Sequence, residues 1–133
     1  MRPKTAVVIA CFANLAVFMV AVVTTSVGPK DAQMNFDFWP VFFSLLNLPF
    51  AYYWWSESRR PALKAMTAVF SSIAIGFLAS TVGFWISGIM LALFGRLDPT
   101  DFFIVAINFS KYWFPVGIAS AICWAVTRVL NKG

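Results

Sequence analysis

The sequence has no histidine. It therefore offers no imidazole to hold haem, zinc or copper, and no Ser-His or Cys-His pair for nucleophilic catalysis. Acidic groups are also scarce: five Asp and Glu stand against ten Lys and Arg. All five (Asp31, Asp37, Glu57, Asp98 and Asp101) fall between apolar stretches or at their edges. A proton-coupled exchanger or an intramembrane aspartyl enzyme needs carboxylates inside a span, so neither fits. The two cysteines, Cys11 and Cys123, are expected to be small buried apolar residues, not a disulfide or a metal pair. Neither a P-loop nor a glycine-rich dinucleotide fingerprint occurs. The chain is accordingly expected to be no enzyme and to need no cofactor.

Charge as a whole is thin. Only 11% of residues are charged and 61% are hydrophobic, with a mean hydropathy of +0.81. Soluble domains carry roughly 25% charged residues, and this chain cannot cover a soluble fold with polar groups. Lipid is the solvent it suits. The net charge of +5 gathers in three short places, which suits a bilayer with anionic headgroups and not nucleic acid.

Four apolar stretches stand out, at about residues 5–27, 38–55, 65–94 and 102–130. Each approaches the ~20 residues that carry a helix across a ~30 Å hydrocarbon core. The runs are continuous and do not alternate with period two, so helices are expected and a barrel is not. The expected fold is all-α: a polytopic membrane protein, one transmembrane domain over residues 1–133, four helices in a compact bundle. The first apolar run is longer than a signal-peptide core, and we expect it to be retained.

Basic residues set the orientation. Arg2 and Lys4 precede the first helix, Arg59, Arg60 and Lys64 follow the second, and Arg128 and Lys132 follow the fourth. These belong to one side, and both termini are expected to be cytoplasmic. The run "AYYWW" sits directly before Arg59 and Arg60. Aromatic rings with polar tips favour the headgroup level, so Trp54 and Trp55, with Arg59, Arg60 and Lys64, are expected to touch lipid headgroups.

Two prolines lie inside apolar stretches. Pro49 is expected to kink helix 2, and Pro115 to bend helix 4. A straight helix from Pro99 to Asn131 would be about 50 Å long. Residues 102–110 are therefore expected along the outer interface, with residues 112–130 crossing. Lys111 would then lie near the outer headgroups, reaching them by its long stem.

Among the polar groups within the stretches, Asn14, Ser44, Asn47, Asn108 and Lys111 stand out. They are candidates for a polar site or for hydrogen bonds between helices. Helix 3 has a face of small residues, Ser72, Gly76, Ala79, Gly83 and Ser87, at spacings of four, three, four and four. Such a face lets two backbones approach closely. It is expected to pack against another helix of the chain, a protein partner or a second copy.

These features point first to a non-catalytic helical subunit or accessory factor of a larger membrane assembly. It would dock by helix 3 or by the outer part of helix 4. A small oligomeric transporter or channel for an anionic or neutral solute is the alternative, lined by Asn14, Asn47 and Asn108 with Lys111 at its mouth. A membrane immunity or exclusion factor is the third reading. The expected location is a plasma membrane, that of a bacterial inner membrane, crossed several times.

Overall fold

The computed structural model describes residues 2–27, 39–56, 59–95 and 98–132. The described residues are helical almost throughout, with no strand among them. Helix α1 covers Pro3–Val27, α2 covers Trp39–Phe50 and continues into a π-helical turn at Ala51–Trp55, α3 covers Pro61–Leu93, and α4 covers Pro99–Lys132. Three segments, Pro3–Thr24, Pro61–Leu93 and Pro99–Leu130, are long and apolar enough to cross a bilayer. That is the architecture of a multi-pass membrane protein. The second helix is shorter: twelve α-helical residues and five π-helical ones make about 25 Å.

Local chemistry fixes the ends. Arg60 is extended (φ −100°, ψ 123°) and Pro61 opens α3, where its missing N–H has no acceptor to lose. The helix therefore starts ahead of the apolar stretch expected from residue 65. At its far end Gly95 takes φ +71°, and its N–H bonds the Ala92 carbonyl at 3.1 Å. A side chain would be strained there. Asp98 caps α4 by accepting the Thr100 N–H at 3.0 Å, ahead of Pro99 and Asp101 in the first turn.

Helix α4 runs unbroken through Pro115. Phe102, Ala106, Trp113, Gly117 and Ser120 are buried, and they form one inward face at helical spacing. The Phe102 ring lies over Gly88 of α3, and the Leu78 side chain occupies the space beside Gly117. Lys111 and Pro115, four residues apart, are both exposed. The backbone bond lost to proline thus falls on the outward side, where it leaves the packing on α3 undisturbed.

Helix α3 is the hub. The other three helices each bring their backbones closest to α3, and most of its buried residues are small or hydroxylated. The compact four-helix bundle expected from sequence is thus a central helix with three others around it. Phe18 of α1 closes the junction. It is fully buried, and its ring lies 6.1 Å from Trp39, 5.9 Å from Phe43, 6.4 Å from Phe84 and 5.9 Å from Trp113. It touches one aromatic or more on every other helix. A second cluster, of Ala6, Ala51, Trp55, Ala68 and Ile75, packs near the end that bears Lys4, Arg59, Arg60 and Arg128.

Candidate functional site

Asn14 and Asn47 face each other across α1 and α2. Each amide donates to the other's oxygen, at 2.9 Å from Asn14 and 2.7 Å from Asn47. The second hydrogen of each goes to its own preceding turn, Asn14 to the Ala10 carbonyl and Asn47 to the Phe43 carbonyl, both at 2.6 Å. All four amide hydrogens are used, and both residues are buried. Beside this pair lies an open groove of about 400 Å³ between α1 and α2, lined by Ala10, Ala13, Leu46 and Phe50 among others.

One polar tie of this kind joins each consecutive pair of helices. The Trp55 indole donates to Ser71 Oγ at 2.8 Å and joins the π-helical turn to α3. The Trp85 indole donates to Ser110 Oγ at 2.7 Å and joins α3 to α4. Hydrogen bonds between helices hold well in lipid, where water does not compete.

Ser44 bonds within its own helix, donating to the Pro40 carbonyl at 2.7 Å. Its backbone is what Gly76 meets. A Cβ on Gly76 would lie 2.8 Å from Ser44 N and 2.9 Å from Pro40 O, so glycine is required for α2 to reach α3 here. A Cβ on Gly83 would meet the Phe18 and Leu15 side chains of α1 at 3.0 and 3.4 Å. Ser72 and Ser87 are buried and donate to the Ala68 and Gly83 carbonyls at 2.6 Å each. Ala79 is half-buried beside a groove between α1 and α4. Gly76 and Gly83 of the small-residue face of α3 thus pack against α2 and α1 of the same chain.

Asn108 and Lys111 do not join the buried amides. Both are exposed, three residues apart on the outward side of α4, so a single chain brings Asn14 and Asn47 together and leaves Asn108 apart.

Pro49 lies inside α2, directly before the π-helical turn. The Ser56 N–H reaches back five residues to the Ala51 carbonyl at 2.9 Å, the spacing that defines a π turn. The wider turn places Ala51 and Trp55 inward and Tyr53 and Trp54 outward. Trp54 stays available to headgroups, stacked on Phe50 at 4.7 Å. Trp55 is buried against α3 with its indole N–H satisfied by Ser71, and it also lines the groove at the basic end. Arg59 and Arg60 are exposed, and the Lys64 ammonium sits 4.5 Å over the Tyr52 ring. Gly28, Pro29, Lys30, Asp31, Asp37, Glu57 and Arg96 lie outside the described residues, and Cys11, expected to be buried, is exposed.

Sequence reasoning did not single out Phe18, Ser71, Ser110 or Trp124. Trp124 of α4 stands between two grooves, and its buried indole N–H has no hydrogen-bond partner among the described residues. No family model matches the chain, and neither a curated protein nor a solved structure is similar to it.

Proposed function

We propose that this chain is a non-catalytic helical subunit or accessory factor of a larger assembly in a plasma membrane, bacterial by expectation. Residues 39–55 form a fourth crossing, and both chain ends are cytoplasmic. Its docking surface is the outer part of α4. The observation that carries the reading is the exposed face of Phe103, Ile104, Ile107, Asn108 and Lys111 on that helix.

Depth supports it. Lys111 lies seventeen residues before Arg128, about 26 Å along the helix. With Arg128 at the cytoplasmic headgroups, Lys111 reaches the opposite interface, level with Trp113. Residues 99–107 and the facing end of α3 then extend beyond the hydrocarbon core. They nevertheless expose Ile89, Leu93, Phe94, Phe103 and Ile104. An apolar surface outside lipid, with an amide and an ammonium at its edge, calls for a protein neighbour.

A photo-crosslinking residue at position 104 or 108, in native membranes, tests this. The expected result is one discrete heteromeric adduct from both sites and none from position 126, an exposed valine nearer the basic end. An adduct of twice the 14.8 kDa chain mass would instead favour the oligomeric transporter, whose solute would use the groove beside Asn14 and Asn47. No adduct at either site would overturn the subunit reading.

A further inference from the structure

Helices α1 and α4 stand on either side of α3 and leave two grooves between them. The groove at the basic end, about 320 Å³, is lined by Lys4, Val7, Trp55, Trp124 and Arg128, among others. The deeper groove, about 280 Å³, is lined by Cys11, Leu15, Leu78, Val82 and Trp124, among others. Trp124 belongs to both. The first is basic, with no acid lining it among the described residues; the second is apolar throughout.

We propose that these two grooves form one binding site for an anionic phospholipid of the leaflet at the basic end. The phosphate sits between Lys4 and Arg128, and an acyl chain lies along the deeper groove. The site rests on the membrane reading given above and adds to it a specific ligand. Three features select the ligand. Arg128 and Lys4 present two cations whose donors suit phosphate oxygens. Trp124 lines both grooves, and its donor-only indole has no partner for its N–H among the described residues. The apolar groove then distinguishes a lipid from a free phosphate. From Lys4 to Leu15 α1 rises about 16 Å, close to half of a ~30 Å hydrocarbon core, the depth of one leaflet's acyl region. Two cations and no acid favour a net-negative headgroup over a zwitterionic one.

The full chain, released into native mass spectrometry from nanodiscs of equimolar dioleoyl phosphatidylglycerol and dioleoyl phosphatidylcholine, provides the test. Wild type is expected to keep one phosphatidylglycerol in preference to phosphatidylcholine. Arg128→Gln and Lys4→Gln should each lower that preference about fivefold, and Trp124→Phe should lower it while keeping the ring. Equal retention of the two lipids by wild type, or a preference that survives Lys4→Gln with Arg128→Gln, overturns the site. So does displacement by millimolar glycerol phosphate, which would make it a free-phosphate pocket. A chain that fails to enter nanodiscs and stays monodisperse in buffer overturns the membrane reading itself, whereas one that enters without lipid preference overturns the site alone.

Discussion

Asn14 and Asn47 form a reciprocal amide pair, 2.9 and 2.7 Å, that bolts α1 to α2 inside an apolar fold. The pair is saturated: each nitrogen also serves the carbonyl of its own preceding turn. Removing one member leaves the other short of a partner. Asn47→Leu is expected to lower stability by about 1 kcal/mol, in the range of interhelical hydrogen bonds in membranes. The double change to leucine should cost less than the sum of the singles, since no amide is then stranded. Reversible unfolding in mixed detergent and sodium dodecyl sulfate, run as a double-mutant cycle, measures the coupling. A solute site would give no such coupling.

Both asparagines are legible in the sequence, because a primary amide within an apolar run needs a partner. Their pairing is not legible, since Asn108 has the same claim and the fold turns it outward. The small-residue face of α3 could be read from its spacing, while the helices that cover it could not. Nothing in the sequence marks Phe18 among fifteen phenylalanines. A helix that is apolar all round has no periodic signal to say which side packs and which side meets lipid. The π turn after Pro49 was likewise hidden, and it alone decides that Trp55 is buried and Trp54 is not.

Gly76 and Gly83 share a face but should respond differently. Gly76→Ala drives a methyl into the backbone of Ser44 and Pro40, which cannot yield without moving α2. A loss of about 2–3 kcal/mol is expected. Gly83→Ala meets side-chain atoms only, the Phe18 ring and Cβ and the Leu15 methyl at 3.0–3.4 Å, and should lose less, about 1 kcal/mol. The same unfolding titration ranks them; the reverse order would contradict the close approach of α2 to α3.

Phe18→Ala removes the ring that meets aromatics of all three other helices. A loss of about 3–5 kcal/mol is expected from the cavity it leaves. Near-ultraviolet circular dichroism should weaken with it, because the tryptophans Trp39 and Trp113 lose a fixed neighbour.

Ser80 is buried, and its hydroxyl has no hydrogen-bond partner among the described residues. Ser80→Ala is therefore expected to leave stability unchanged or to raise it by up to about 1 kcal/mol. A marked loss would show that the hydroxyl has a partner from outside the chain.

The central claim is that this chain crosses a bilayer with its basic ends on one leaflet. A membrane-impermeant maleimide applied to single cysteines at positions 59 and 98, both exposed, in a chain with Cys11 and Cys123 changed to alanine, tests it most directly. Position 98 should label in intact cells and position 59 only after the membrane is opened. Labelling of both positions alike in intact cells, or recovery of the chain in the soluble fraction, would contradict the account.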